Sequence, residues 1–382
     1  MAPSARPGIV IGLDVGKSSH WACVLTREGE VLESAAVPNR EGAIDARHPG
    51  ALVVVDRVRN IGSLALSRAG RAGMPRAYLP GLAAHGASRL FAGDAKTDER
   101  DAMAVAKTAL GIPDALLPVA DRRPEIEAAR SLAAQRDFLT CENTRNKNRL
   151  RSILLESCPE FEARADLSDA ATLRLMASIG GPWSIAEASP QVVGALTRGC
   201  GRAKVAALLD STGSSERPHP AAVACEDRAV RLLAGRIAEN SVEIGAPAAE
   251  ISALLASDET YRCLLTVPGI GPRTASELVI SIDIADFPSH DKLASYCGLA
   301  PRNRRSGTSI SSVSASRQGN KRLKNLLVFS CNRLARSHGR WGDYYAECRG
   351  RGMPHGKAIK ALARKRLKVI YAVMRDKTTY SA

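Results

Sequence analysis

Apolar residues run in short blocks over the first eighty positions and then recur at helical spacing almost to the C-terminus. Residues 8–15 (GIVIGLDV) are a continuous apolar run that ends at an acid, which predicts a strand buried on both faces. WACVLT from Trp21 and EVLESAAV from Glu30 predict two more strands joined by the turn REGE. ALVVVD from Ala51 predicts a fourth. A helix follows over about Ile61 to Arg71, and PRAYLP from Pro75 predicts a fifth strand. Residues 94–109 (DAKTDERDAMAVAKTA) predict a helix with an acidic first turn. Three strands followed by strand, helix, strand and helix is an α/β arrangement around a mixed sheet.

From Pro124 the period changes. EIEAARSLAAQRDFLTCENTRNKNRLRSILLES is one long polar helical stretch, and helical signal continues to about residue 255 with Gly/Pro breaks at 180–182 and 213–220. Apolar positions at helical spacing among many charges predict a helical hairpin or coiled-coil arm. A third region starts near Tyr261. The expected organisation is therefore α/β plus α: an α/β domain over 1–122, a helical middle over 123–258 and a mainly helical C-terminal domain over 259–382.

Composition narrows the class. Of 382 residues, 45% are hydrophobic and 24% charged, which is ordinary globular usage. No run of about 18 apolar residues occurs, so no spanning helix is expected. Asp14 and Lys17 interrupt the place where an export signal needs its apolar run. The nine cysteines are scattered with no CxxC pair, which predicts reduced thiols in a bacterial cytoplasm, with neither a disulfide framework nor structural zinc. Arg in excess of Lys, with abundant Ala, fits a GC-rich host.

The charge says more. The net formal charge is +15, yet residues 301–382 hold 20 Lys+Arg against 3 Asp+Glu, a net of +17, and the first 300 residues sum to −2. A field of that size fits a polyphosphate partner. Apolar residues interleave at helical spacing (Leu323, Leu326, Leu327, then Ile359, Leu362, Leu367, Ile370), so the basic segment is folded rather than a loose tail.

Four constellations carry chemistry. Asp14 ends the first strand, Asp56 ends the fourth, and Asp98 and Asp101 lie three apart on one helix. Carboxylates so placed can build a hard oxygen cage for Mg²⁺, and two ions about 4 Å apart can clamp the oxygens of a phosphoryl transfer. Asp94 shares the helix face, and spacing alone does not exclude it. Second, GLDVGKSS resembles the phosphate turn of actin-like ATPases, but their second phosphate loop and adenosine-site glycines are not evident. Third, LLTVPGIGPRTASELVISI reads as a helix–hairpin–helix, in which Gly269 and Gly271 let the backbone approach a phosphate, Arg273 follows, and Ala275 allows close packing. Such a contact positions nucleic acid without reading sequence. Fourth, a Gly/Ser-rich basic loop holds Arg302, Arg304, Arg305 and Arg317, and a basic helix from about Gln318 carries Lys321, Arg322 and Lys324. A serine among such guanidinium groups can attack phosphorus. Spacing does not choose among Ser306, Ser309, Ser311, Ser312, Ser314 and Ser316.

The order GLDVGKSSHWACVL, AKTDERDAMAVA, VPGIGPRTASELV, YCGLAPRNRRSGTS and QGNKRLKNLL resembles the DEDD transposases of the insertion sequence 110 family over nearly the whole chain. The resemblance implies an RNase H-like (RuvC-type) N-terminal domain, a coiled-coil middle and a C-terminal transposase domain. It implies Mg²⁺, two per site, and a structured RNA encoded by the element that pairs with donor and target DNA. The family's first Asp matches Asp14, and its last two match Asp98 and Asp101 rather than Asp94. Its second acid is usually Glu, and here Asp56 stands in that place, one methylene shorter. Its nucleophilic serine lies in a Ser-Gly step that matches Ser306.

These readings together predict an RNA-guided DNA recombinase acting through a serine–DNA link, as a homodimer or homotetramer associated with the nucleoid and with no membrane. The rivals are a hydrolytic structure-specific nuclease using the same acids, an inactive nucleic-acid-binding protein and, third, an actin-like ATPase.

Overall fold

The computed structural model describes residues 8–40, 43, 48–58, 60–89, 97–119, 123–212, 216–306, 310–315 and 319–381. By contacts the chain divides into two compact units, one of residues 1–123 with 282–296 and one of residues 124–281 with 297–382. The boundary expected at 258/259 falls inside the second unit.

The first unit is built on β1 (Ile9–Asp14), β2 (Ser19–Thr26), β3 (Val31–Pro38) and β4 (Leu52–Val55), followed by α1 (Ser63–Arg71), β5 (Arg76–Tyr78), α2 (Gly81–Ser88), α3 (Asp98–Gly111) and β6 (Leu117–Pro118). The sheet order is β3-β2-β1-β4-β5-β6. β1, β2 and β3 are antiparallel neighbours, β1, β4 and β5 run parallel, and β6 returns antiparallel. The mixed sheet is thus as the pattern predicts. Helix α3 starts at Asp98 because Thr97 is extended and its side chain accepts from the Arg100 amide, an N-cap. The expected start at residue 94 lies outside the described residues.

Strand parity divides the core. Ile11, Leu13, Val24, Val53 and Val55 pack with Leu66 and Ala69 of α1 on one face. Val10, Cys23, Leu25, Leu52 and Val54 pack with Ala102, Val105, Ala106 and Ala109 of α3 on the other. Because β1 and β4 are covered on both faces, their sequences are unbroken apolar runs rather than alternating ones.

In the second unit, α4 (Pro124–Ser157) packs along a later long helix. Between them lie α5 (Pro159–Arg164), α6 (Ala170–Ser178), α7 (Pro182–Glu187), α8 (Pro190–Leu196) and α9 (Arg202–Leu209), before α10 (Pro220–Gly245) and α11 (Pro247–Leu255). Leu150, Leu154, Phe161, Leu175, Met176, Trp183, Val230, Ala234 and Ile237 form their common core. Buried Asn143 of α4 donates to the Ile237 carbonyl of α10 at 3.3 Å and to Ser241 Oγ at 3.0 Å, which fixes the register of that pair.

The remainder comprises α12 (Glu259–Leu265), α13 (Pro272–Ser281), α14 (His290–Tyr296, in the first unit), β7 (Pro301–Ser306), β8 (Ile310–Ala315), α15 (Lys321–Leu334), α16 (Arg340–Gly350) and α17 (His355–Asp376). The expected basic loop is therefore a two-stranded hairpin. Its Ser- and Arg-rich strands lack the apolar alternation that marks a half-buried strand, so the sequence pattern hid them. Among the described residues no helix is long and apolar enough to cross a membrane.

Candidate active site and nucleic-acid interface

The acids come together through register. Leu13 of β1 pairs with Val55 of parallel β4, so Asp14 and Asp56 follow on adjacent strands at the same end of the sheet. Both share the parity of Val10, Leu52 and Val54, the face covered by α3. Helix α3 lies unusually close to β1 there. A Cβ on Gly12 would sit 2.5 Å from the Ala102 carbonyl oxygen and the Ala106 nitrogen, so only glycine admits the helix. Asp98 and Asp101 occupy the first turn of that helix, just before Ala102.

The electrostatics follow. Burial and then the fields of Asp56, Asp98 and Asp101 push the Asp14 carboxyl up to about 6, against the pull of Arg57. Asp56 is also raised, mainly by burial, although Arg57 pulls it down and Asp101 pushes it up. One Asp56 oxygen is 3.8 Å from Arg57 Nε, and the other, Oδ1, is buried with no hydrogen-bond partner. An orphaned carboxylate oxygen beside mutually repelling acids is the chemistry of a donor set for a hard cation, so the donor types suit a divalent ion. Their spacing corrects the expectation of a closed cage. Among the described residues no three His, Cys, Asp or Glu side chains gather closely enough to hold a metal ion. The four acids sit on three elements, repel one another and act on Asp14 through space. Asp94 lies outside the described residues.

The turn after Asp14 is braced by a residue that motif reading passed over. Buried His20 accepts from the Gly16 amide through Nδ1 at 3.2 Å, and its Nε2 lies 3.1 Å from Asn39 Oδ1. Accepting at Nδ1 requires the neutral ring, and burial lowers its pKa in the same sense. Its parity with Ala22 and Val24 along β2 could have flagged it, since that parity marks a buried strand face.

In the second unit the turn between α12 and α13 carries Gly269 and Gly271. Gly269 has φ +75°, and a Cβ there would meet Leu334 Cδ1 at 2.8 Å, so the turn packs directly on α15. Gly271 has open space around its α-carbon. Ala275 is fully buried, Arg273 is exposed, and the basic positions on α15 divide. Lys321 is exposed and Lys324 half-buried, whereas Arg322 is paired with Glu277 of α13 and Asp137 of α4. Glu277, 2% exposed, also takes Arg136 of α4. Beneath the turn, Arg366 of α17 is 1% exposed. It donates to the Pro268 carbonyl at 2.7 Å, to Ser330 Oγ at 2.8 Å and to Cys331 Sγ at 3.3 Å. These interior charges escaped sequence reading because periodicity assigns charged helix positions to solvent.

Ser306 is the last residue of β7 and pairs with Ile310 across the hairpin turn. Arg302, Arg304 and Arg305 pair with Ser314, Ser312 and Ser311. Arg317 lies outside the described residues.

Comparison with known proteins places this geometry among relatives. A family model described as transposase, of the DEDD IS110 type, matches residues 11–159, and one described as transposase of the IS116/IS110/IS902 family matches residues 261–346. The chain is 33% identical to an insertion element IS110 protein of Streptomyces coelicolor over 98% of this chain and 96% of that protein. It is 30% identical to an insertion element IS116 protein of Streptomyces clavuligerus over 98% and 96%. A pilin gene-inverting protein of Moraxella bovis is 38% identical over 30% of this chain and 36% of its own length.

Proposed function

This chain belongs to the IS110 family of transposases, and from that premise we propose an RNA-guided DNA recombinase that cuts and rejoins strands through a serine–DNA link. The observation that carries the reading is the concentration of negative charge on Asp14 by Asp56, Asp98 and Asp101 at one end of β1 and β4. The sheet order, with three antiparallel strands followed by two parallel ones, supports an RNase H-like domain. The Gly269 turn between α12 and α13 supports a helix–hairpin–helix.

Asp14, Asp56, Asp98 and Asp101 would hold Mg²⁺, which when bound neutralises charge on the phosphate being cleaved. The serine does the bond exchange. Ser306 Oγ bonds to phosphorus as one phosphoester bond of the strand breaks. The hydroxyl proton is released, and the departing oxygen leaves as a hydroxyl. The number of phosphoester bonds is unchanged, so a second strand end can reverse the step without an energy source. Arg302, Arg304 and Arg305, just before the serine in sequence, supply positive charge for the pentavalent phosphorus. The net +17 of residues 301–382 supports binding of donor and target DNA and of a structured guide RNA. Exchange of two duplexes needs several nucleophiles, hence a homodimer or homotetramer.

The test uses a nicked suicide substrate with guide RNA, denaturing gels and mass mapping of the linked peptide. The adduct should map to Ser306 and vanish in Ser306→Ala, while Asp14→Asn, Asp98→Asn and Asp101→Asn should lose cleavage and keep RNA binding. Cleavage with free ends and no adduct would identify the hydrolytic nuclease instead.

A further inference from the structure

Helix α15 buries Leu323, Leu327, Cys331 and Leu334, so its opposite face is turned to solvent. At the centre of that face stands Phe329, 76% exposed, more than any other large apolar side chain among the described residues. On a helix its neighbours along the face are the residues three and four away, which here are Asn325, Leu326, Asn332 and Arg333; Leu326 is half-buried and the other three are exposed, with Arg336 one turn beyond. Residues 321–334 contain no Asp or Glu. Phe329 is thus the one fully exposed apolar side chain of this face, with half-buried Leu326 at one side and amides and guanidinium groups at the others. A stable protein interface would bury a wider apolar centre inside its polar rim.

The helix behind the ring is held firmly. Its first turn is capped by Asn320, whose Oδ1 accepts the Arg322 and Leu323 amides at 3.1 Å each. Arg322 is fixed by Glu277 and Asp137. At the level of the ring, Arg366 fastens Ser330 and Cys331 from below. A rigidly mounted, exposed aromatic ring loses little freedom on binding and offers a flat surface to another π system.

We propose that the outer face of α15 is a stacking platform for an unpaired base of single-stranded DNA. Phe329 takes the face of the base, Asn325 and Asn332 reach its hydrogen-bonding edge, and Arg333 and Arg336 take the flanking phosphates. Strand exchange must unpair DNA, so this inference rests on the recombinase reading for its biological occasion, while its test measures binding alone.

The experiment uses the full chain without guide RNA and in EDTA. Fluorescence anisotropy compares a labelled single-stranded DNA 20-mer with the same sequence as duplex and as single-stranded RNA. Phe329→Ala should weaken single-stranded DNA binding about tenfold, within the range that loss of one base–aromatic stack brings. It should leave duplex affinity, the thermal midpoint and the oligomeric state unchanged. Phe329→Trp should retain binding, and its added fluorescence should be quenched by single-stranded DNA. Unchanged binding in Phe329→Ala, an equal loss on duplex, a loss confined to the RNA strand, or a change of oligomeric state would each overturn the proposal. Asp14→Asn serves as the separating control. If it keeps strand transfer, the recombinase reading falls; the effect of Phe329→Ala on binding is decided independently.

Discussion

Asp14→Asn should stabilise this protein in the absence of metal while removing its activity. Asp14 is half-buried, and its carboxyl lies at about 6 rather than the ordinary 3.8. The folded chain therefore binds the Asp14 proton more tightly than the unfolded chain does. Below about pH 3.8 both states carry the proton and no penalty exists. Between 3.8 and 6 only the folded state holds it, so stability falls as pH rises, and above 6 the penalty is complete. At about 1.36 kcal/mol per pH unit the full penalty is about 3 kcal/mol. Solvent screening of a half-exposed group reduces this to about 1–2 kcal/mol. Asparagine keeps the shape and discards the charge. For a unit of this size the gain corresponds to about 2–6 °C in the unfolding midpoint. The assay is thermal unfolding of wild type and Asp14→Asn at fixed ionic strength in EDTA, from pH 4 to pH 8. The variant's advantage should be near zero at pH 4 and full at pH 7.5. Added Mg²⁺ at pH 7.5 should raise the wild-type midpoint and leave the variant unmoved, because only a folded state with its carboxylates gains from binding. A variant no more stable than wild type at pH 7.5, or an advantage equally large at pH 4, would refute the electrostatic argument.

Gly12→Ala should lower strand transfer severely without touching any acid, since the new Cβ would strike the backbone of α3 at 2.5 Å and displace Asp98 and Asp101; a companion loss of the Mg²⁺-induced midpoint shift is the check. Gly269→Ala should destabilise the second unit by about 1–3 kcal/mol, from its positive φ and the contact with Leu334, whereas Gly271→Ala should be nearly neutral in denaturant titrations. Glu277→Gln should cost about 3 kcal/mol or more, because it leaves buried Arg136 with only Asp137 at 3.5 Å as a charged partner; hydrogen exchange in α13 and α15 would report it.

The first unit was largely legible because its signals are periodic. The apolar run 8–15 became β1 over Ile9–Asp14, and ALVVVD became β4 over Leu52–Val55, each covered on both faces. Asp14 and Asp56 could be paired from their places at strand ends. The closeness of α3 could not, because it depends on what a methyl group at Gly12 would strike, and that is a fact of packing rather than of pattern. The β7–β8 hairpin was missed for the opposite reason. Its residues are mostly Arg, Ser and Asn, and its few apolar ones (Ile310, Val313, Ala315) do not alternate over the strands, so no hydrophobic period marked them. Arg366 and Glu277 were illegible because they are charged residues placed on buried helix faces, where periodicity assigns charge to solvent.

The two units confront the same difficulty, charge brought into a confined place, and resolve it differently. In the second unit the interior charges meet opposite charge or polar partners: Glu277 takes Arg136 and Arg322, and Arg366 donates to a carbonyl, a hydroxyl and a thiol, although Glu277 Oε2, Arg136 Nε and Arg366 Nε stay buried without a partner. Those groups therefore serve to hold the turn at Gly269 and helix α15 in fixed relation, and their removal should read out as lost stability. In the first unit the charges are not answered. Asp14 has Arg57 alone against three carboxylates. A fold that pairs buried ions of opposite sign in one unit yet sets like charges against one another at one end of a sheet in another is spending stability at that position, and such conflict is the physical mark of a site completed by something that binds. The alanine face of α3 and the missing side chain at Gly12 make sense in the same terms: they bring the first turn of α3, with Asp98 and Asp101, to the end of the sheet that carries Asp14 and Asp56.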